Sequence, residues 1–554
     1  MPFAASFLSL ALSTLAVSPG AAVATSHPLA SEAAVEVLRE GGNAIDAAVA
    51  AAFALSVVEP QSSGIGGGGF ALVRLAREGR VRVLDFREVA PGAATPDMFA
   101  RSGLPPRASL DGGMAVAVPG AVKGYAELAR RFGTRPLSSL VAPAVRLAER
   151  GFRVGPVYAE RARERLSCLR ADAAAARELL VSGPDGPEPP AVGARLVRRD
   201  LARTLRLLGR DPEAFYRGAL ARRIAAAVRA RGGVLGEEDL ARYRVRERAP
   251  LEGRYRGHRI VTMPPPSAGG AIVLGVLGVL EGEDPRAGGY RPERFLHVML
   301  EAEKRLFALR ASRLGDPDQV PGARAAAEEA SSPAFARRLR AEIGERAAPA
   351  AGVAAPREKG GTTHVSVVDG EGNAASLTTT VNFYFGACVV VPGTGIVLDD
   401  EMDDFDAAPG ATNAYGLSSA GQNAPAPGKI PLSSMAPTMV FDPQGKLELV
   451  LGAAGGSRIP SAVLQAIVHL VDDGMRLDEA LAAPRLHQQL RPEAAQVESN
   501  GLEAETARAL SARGHALSFT ERRSANAQAV RVSPSGLREA ASDPRYEGRA
   551  LAVP

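Results

Sequence analysis

Residues 44–58, AIDAAVAAAFALSVV, have helical propensity and are apolar almost all the way round. A helix of that kind has no face to offer water, so the chain must build a core that encloses it. Just before it, LASEAAVEVLREGG reads as a first helix stopped by Gly41-Gly42, with Asn43 as the N-cap of the second. With 554 residues, 46% hydrophobic and 23% charged, the chain has the material for such a core. Length alone suggests three or four units of about 100 to 200 residues each. One large layered α/β domain is equally allowed.

Two strands follow, SSGIGGGGFALVRL and RVRVLDFREVAP, the first running out of a glycine loop. From about 120 to 345 the chain reads as mostly helical, with Arg- and Ala-rich amphipathic segments broken by SGPDGPEPP and MPPPSAGG. Residues 345–361, rich in Pro, Ala and Gly, read as an exposed connector. The texture then changes to short strands: THVSVVD, NAASLTTTV, GIVLDD, PTMVFD and LELVLG. A helix, SAVLQAIVHLVDDG, comes next, and AQAVRVSPSGLREAASDPR closes the chain as a hairpin.

Several function classes are excluded. The net charge of +5 is thin against 66 basic and 61 acidic side chains, and the arginines are scattered without aromatic partners, so nucleic acid is not an expected ligand. GIGGGG contains G-x-G-x-x-G, but a helix precedes it and a strand follows, the reverse of a dinucleotide site; tight backbone packing explains it better. Neither G-x-S-x-G nor H-E-x-x-H occurs, and no metal or cofactor is expected. Cys168 and Cys388 show no metal-ligand spacing; a bridge between them is allowed but not required. Residues 1–24 carry no charge, and the apolar run Phe7 to Val17 before Pro19 resembles the core of a signal peptide, which implies a periplasmic or secreted protein. Against this, a basic start is missing, and GAAVATSHPLAS can instead begin the first strand of a cytoplasmic protein. No later segment has the roughly 20 apolar residues of a spanning helix, so no membrane partner is expected.

The chemistry concentrates after the connector. GGTTHVSVVDGEGNAASLTTTVN holds a Gly-Gly pair beside threonines, with no catalytic base nearby except the strand residue His364. A threonine hydroxyl is a poor nucleophile unless a base takes its proton, and a threonine at a chain start supplies its own, since an α-amine has a pKa of about 7.7 to 8.0. Cutting Gly361–Thr362 would make Thr362 such a residue. In LDDEMDDFD, six acids from Asp399 to Asp406 read as a solvated turn, a calcium loop or a site for a substrate ammonium; the calcium-loop spacing is not met because Asp404 stands where glycine is needed. PLSSMAPT sets Ser433 and Ser434 in a loop, and GAAGGSRI sets Gly455 and Gly456 before a helix, where backbone N–H groups can hold an oxyanion.

Together TTHVSVVDGEGNAASLTTTVN, DFREVAP, LDDEMDDF, NAYGL, KIPLSSMAPT and GAAGGSRI resemble the γ-glutamyltransferases, or glutathione hydrolases, of the N-terminal nucleophile hydrolase superfamily, with the motifs in family order from about residue 21 to 547. The resemblance implies an α/β (α+β) fold, an αββα four-layer sandwich made by two intertwined subunits of one precursor. Residues 25–361 would form the large subunit and 362–554 the small one. It implies that Thr362 attacks the carbonyl of Gly361, that an N-to-O acyl shift and hydrolysis free the new amine, and that Thr362 then takes the γ-glutamyl group of glutathione and related amides and passes it to water or an amino-acid acceptor. Thr380 would orient the nucleophile. Gly455 and Gly456 would hold the oxyanion. Arg87, Ser433 and Ser434 would grip the donor's α-carboxylate, and Asn382, Glu401 and Asp404 its α-amine; Asn382 is expected to point the same way as Thr380, two residues before it in the strand. Residues 409–432, with Tyr415, would be a lid, and Thr363 and His364 would be scaffold. Glu401 stands where some members have glutamine, Asp399-Asp400 where Asn-Asn is common, and Ile430 where many have arginine. The pocket is therefore more acidic and should favour an ammonium. The alternatives are a glutaryl-cephalosporin acylase on the same scaffold and a catalytically silent amino-acid or glutathione binding protein.

Overall fold

The computed structural model describes residues 15–286, 292–349, 360–408, 411–520 and 525–554. Most of the 345–361 connector, and most of the apolar run before Pro19, lie outside these residues. The two opening helices form as the sequence directs: α1 spans Pro28–Arg39 and α2 Ala44–Val58. Asn43 Oδ1 accepts from the N–H groups of Ile45 and Asp46, and Asp46 returns the bond to the Asn43 N–H at 3.0 Å, a reciprocal cap. All of α2 is buried. Three further helices pack beside or near it, α3 (Ala121–Phe132), α4 (Leu137–Arg150) and the short α5 (Leu166–Ala171); α6 (Gly269–Leu280), α7 (Glu293–Arg313) and α8 (Ile459–Val471) belong to the opposite side of the molecule.

Helices α1, α3 and α4 and one face of a sheet enclose α2, and a second sheet stacks on the other face of the first. Before the Gly-Gly pair the strands are β1 (Ala16–Ser18), β2 (Ala21–Thr25), β3 (Gly68–Arg74), β4 (Val81–Asp85), β5 (Arg246–Arg248), β6 (Leu251–Tyr255) and β7 (His258–Thr262). From the Gly-Gly pair onward they are β8 (Gly360–Val368), β9 (Ala374–Phe383), β10 (Thr438–Phe441), β11 (Leu447–Ala454), β12 (Asn526–Val532), β13 (Arg538–Ser542) and β14 (Arg549–Val553). The first sheet runs β14-β2-β8-β9-β3-β4-β5 and the second β1-β13-β12-β11-β10-β7-β6. Alternation along each strand sorts the side chains. Val23, Ala71, Val365, Val367 and Leu377 face the helices around α2, whereas Ala22, Ala24, Phe70 and Leu72 face the second sheet. With α6 and α8 packed on the second sheet, the layers read α, β, β, α. Each sheet mixes strands from both sides of Gly361.

Several expectations need correction. Strands β5 to β7 lie inside the stretch read as mostly helical; RERAPLEGRYRGHRIVT is rich in charge because β5 and β6 are sheet edges. GIVLDD is not a strand, and only Val397 and Leu398 make isolated bridges. The closing hairpin, β12 and β13, is followed by β14, which pairs with β2. β2 in turn pairs with β8, so a leader ending at residue 24 would take four of its five residues out of the sheet. The glycine loop serves packing: a Cβ on Gly67 would overlap the Thr380 carbonyl oxygen.

Candidate active site

Pairing of β8 with β9 places Thr362 opposite Thr380, and then the register slips, Gly360 pairing with Phe383. Val381 and Asn382 together oppose Gly361, a bulge completed by Asn382 at φ 72°. The bulge brings hydroxyls to one carbonyl. Thr362 Oγ1 donates to the Gly361 oxygen at 2.8 Å and Thr380 Oγ1 to the same oxygen at 2.7 Å, with the two hydroxyls 3.1 Å apart. The Asn382 N–H donates to Thr380 Oγ1 at 2.8 Å and fixes its rotor. Two O–H donors, from Thr362 and Thr380, polarise the Gly361 carbonyl. The bulge also breaks strand alternation, so Asn382 does not follow Thr380 by the simple two-residue rule; its Oδ1 accepts from Tyr415 at 2.9 Å and its Nδ2 donates to the Asp400 carbonyl.

Thr362, Thr380, Asn382, Arg87, Glu401, Asp404, Tyr415, Ser433, Ser434 and Gly456 line one small pocket of about 20 Å³. Gly455 opens instead onto a second cavity on the other side of Thr362. The first pocket is organised by a buried ion cluster. Arg87 Nη1 lies 2.6 Å from Glu401 Oε1, Nη2 pairs with Asp404, and Glu88 is 3.9 Å away. Burial pushes Glu401 well above the ordinary carboxyl range; Arg87 pulls it back, and Glu88 and Asp404 push it further. Burial likewise raises Glu88 to about 7, against the pull of Arg87. For Arg87 the penalty of burial is outweighed by Glu401, Asp404 and Glu88, so the guanidinium stays charged. The cluster is a cation flanked by anions, complementary to an amino-acid head group that presents the same charges in reverse.

The rest of the acidic run is structural. Asp399 caps the Ala117 and Glu401 N–H groups, Asp400 accepts from the Phe383 N–H, and Asp403 from the Ala414 N–H, each at 2.9 to 3.0 Å. None of the six acids is exposed, which removes the solvated-turn reading. Among the described residues the one group of metal-capable side chains is elsewhere, Asp111 with Cys168 and Cys388, and its sulfurs are joined in a disulfide. Tyr415 closes the pocket. Its ring stacks on Phe383 with centroids 4.5 Å apart, and Gln489 holds its carbonyl at 2.9 Å. His364 contacts Thr378 and Ser366, and burial lowers its pKa to about 3, so it is a neutral scaffold residue.

The second cavity, about 350 Å³, was not legible beforehand. It is lined by Glu59, Arg161, Tyr384, Gly455, Arg458 and Arg545 among others. Arg545 is held by Glu498 and Asp543, and Arg161 by Glu164. Arg458, two residues past the glycine pair, donates from Nε to Gln496 at 2.8 Å and has no carboxylate within ion-pair distance among the described residues. Glu59 accepts from Ser26 at 2.6 Å, and burial raises its pKa to about 7, opposed by hydrogen bonds from Ser26 and Thr363. GGSRI carried a signal for Arg458 only by adjacency; nothing pointed to Glu59, which reaches the site by folding alone.

Comparison with known proteins agrees with this geometry. Residues 30–553 match the family described as Gamma-glutamyltranspeptidase. A glutathione hydrolase proenzyme of Pseudomonas sp. (strain A14) is 41% identical over 89% of this chain and 85% of its own. Acylase ACY 1 proenzyme of Pseudomonas sp. (strain V22) is 40% identical over 96% of this chain and 93% of its own. The crystal structure of a cephalosporin acylase from Bacillus halodurans superimposes with a TM-score of 0.86 at 31% identity, covering 100% of this chain and 99% of that one.

Thr380→Val keeps the volume and removes all three hydroxyl contacts, so cutting at Gly361–Thr362 is expected to slow by about 100-fold, while Thr380→Ser retains it; the fraction of uncut chain with time checks this. Below about pH 7 Glu88, beside Arg87, holds a proton that it loses above it, and the pocket then gains negative charge. Preference for an acyl donor carrying an α-amine over the same donor without it should rise between about pH 6 and 8, read as the ratio of the two kcat/KM values. A flat ratio would remove the cluster from amine recognition.

Proposed function

The chain belongs to the gamma-glutamyltranspeptidase family, and on that premise we propose that it is an autoprocessing γ-glutamyltransferase acting on glutathione and related γ-glutamyl amides. The observation that carries this reading is the Gly361 carbonyl, gripped by the hydroxyls of Thr362 and Thr380. Attack of Thr362 Oγ on that carbon, with the proton passing to the departing Thr362 nitrogen, converts the amide to an ester. Water then hydrolyses the ester, leaving a carboxylate on Gly361 and a free α-amine on Thr362. The same hydroxyl, now deprotonated by that amine, attacks the γ-glutamyl carbonyl, and the N–H groups of Gly455 and Gly456 receive the oxyanion. The leaving amine takes the proton. Water or an acceptor amine resolves the acyl-enzyme.

The choice of a γ-glutamyl over a glutaryl donor rests on Glu401 and Asp404. A glutaryl group would satisfy Arg87 with its carboxylate but would bring no ammonium to two buried acids, a costly arrangement. Relatives named as acylases keep the glutaryl reading as the second one. The second cavity supplies the other half of the reaction: Arg458 suits the carboxylate of a peptide leaving group or of an amino-acid acceptor. The proposed cut gives a large subunit ending at Gly361 and a small one of residues 362–554. No helix among the described residues is long and apolar enough to cross a membrane. Export, as proposed, requires a processing point ahead of Ala16, because β1 and β2 belong to the sheets.

Thr362→Ala is expected to leave one uncut chain without activity; a cut or active variant would overturn the nucleophile. Assay of γ-glutamyl and glutaryl p-nitroanilides side by side should favour the former by at least about 100-fold, and a reversed preference would give the chain to the acylases. Arg458→Met should raise KM about 10-fold for carboxylate-bearing acceptors and leave anilide hydrolysis unchanged; equal effects on both would make it structural.

A further inference from the structure

The disulfide lies outside the machinery described so far. Cys168, on α5, and Cys388, in the loop after β9, are joined with their Cα atoms 5.9 Å apart at a sequence separation of 220. Gly361–Thr362 falls within that interval. Every other link between the two proposed subunits is non-covalent. One side of the bridge is open to solvent, where a cavity of about 760 Å³ is lined by Arg107, Asp111, Arg165, Cys168, Tyr384 and Cys388 among others. The two sulfurs are not equivalent: Cys388 is 2% exposed, whereas Cys168 is half-buried and faces the opening.

Arg165 sits over the pair. Its Nη2 lies 3.2 Å from Cys388 Sγ and 3.6 Å from Cys168 Sγ, and it donates to Asp111 at 2.6 Å and to the Gly386 carbonyl at 3.2 Å. Its Nε donates to the Tyr384 carbonyl at 3.1 Å, and Tyr384 also lines the cavity beside Thr362. A guanidinium this close to Cys388 stabilises that sulfur as a thiolate, which makes Cys388 the better leaving group.

We propose that Cys168–Cys388 is a covalent tether between the two subunits of the processed enzyme, and that the cavity beside it admits a small thiol that opens the tether at Cys168. The thiolate bonds to Cys168 Sγ, the S–S bond breaks, and Cys388 leaves as a thiolate beside Arg165. A second thiol attacks the mixed disulfide, releasing the small molecule as its own disulfide and Cys168 as a thiol, so two thiols are oxidised as one protein disulfide is reduced. The inference rests on the proposed cut for its two chains. It also gives glutathione, the proposed donor, a second point of contact, since glutathione is itself a thiol.

The test uses the full-length protein purified without reductant, denatured in the presence of iodoacetamide, and compared with and without dithiothreitol by gel, intact mass and N-terminal sequencing. Expected is one unalkylated species yielding both N-termini, which dithiothreitol resolves into two chains, the smaller beginning at Thr362. Two separate chains without reductant, or alkylation of both cysteines, would overturn the tether. A single chain even after reduction would instead overturn the cut; alkylation alone then decides, upholding the bridge if both cysteines are blocked and overturning it if both react. Cys388→Ser should release two chains without reductant while activity stays within about two-fold, and an unchanged gel would count against the bridge. Limiting glutathione followed by peptide mass should find the adduct on Cys168, and an adduct on Cys388 would overturn the proposed direction of attack.

Discussion

Everything at the candidate site depends on how β8 pairs with β9. In register, the two strands would present Thr362 to Thr380 and continue into an ordinary ladder. The slip at Gly361 breaks that ladder, turns Asn382 into the left-handed region and puts two hydroxyls on a single carbonyl oxygen. A peptide bond is protected in a sheet because its groups are paired and its geometry is fixed. Here the fixing has been kept and the partner changed from a backbone N–H to side-chain hydroxyls, so the bond is held still in reach of a nucleophile. The second sheet completes the arrangement, since β11 ends at Ala454 and delivers Gly455 and Gly456 beside Thr362.

The pocket on one side of the nucleophile is closed over its own charges. Arg87 is ion-paired with Glu401 and Asp404 while Tyr415 lies across the opening, and only about 20 Å³ remains. Isolated buried charges are costly, so a site meant for a zwitterion must carry internal counter-ions when empty. A substrate head group then trades one set of pairs for another instead of neutralising a bare charge. This favours a ligand with both a carboxylate and an ammonium over one with either alone. Among the described residues the opposite cavity has no such self-pairing at Arg458, and it is wider, consistent with a looser demand on the amine that leaves or enters.

Much of this was legible in the residues. The apolar run of α2, its Asn43 cap and the short strands after residue 360 other than GIVLDD follow from periodicity and turn chemistry, and the structure agrees with them. Arg87, Glu401 and Asp404 were named together through their motifs, and the fold joins them although more than 300 residues separate the first from the others. The bulge was not legible, because register is set by pairing with a distant partner and TTTVN looks like an uninterrupted strand. Asp399, Asp400 and Asp403 could not be told from Glu401 and Asp404 by composition. Their side chains turn to backbone N–H groups of Ala117, Phe383 and Ala414, contacts that exist only after folding. Strands β5 and β6 were hidden by their charge, which edge positions tolerate.

The interleaving of strands has a consequence for timing. β2 is flanked by β14 and β8, and β9 by β8 and β3, so neither half of the chain can complete a sheet without the other. The carbonyl of Gly361 meets both threonines only when β3, β8 and β9 have found their places and β11 has closed over them. A chain folded wrongly or in part lacks that geometry and stays uncut, and an uncut threonine has no free amine. The proposed scission would therefore act as quality control built into the covalent structure: the molecule would certify its own assembly before it could touch a substrate, and those that fail would remain inert without any outside inspector.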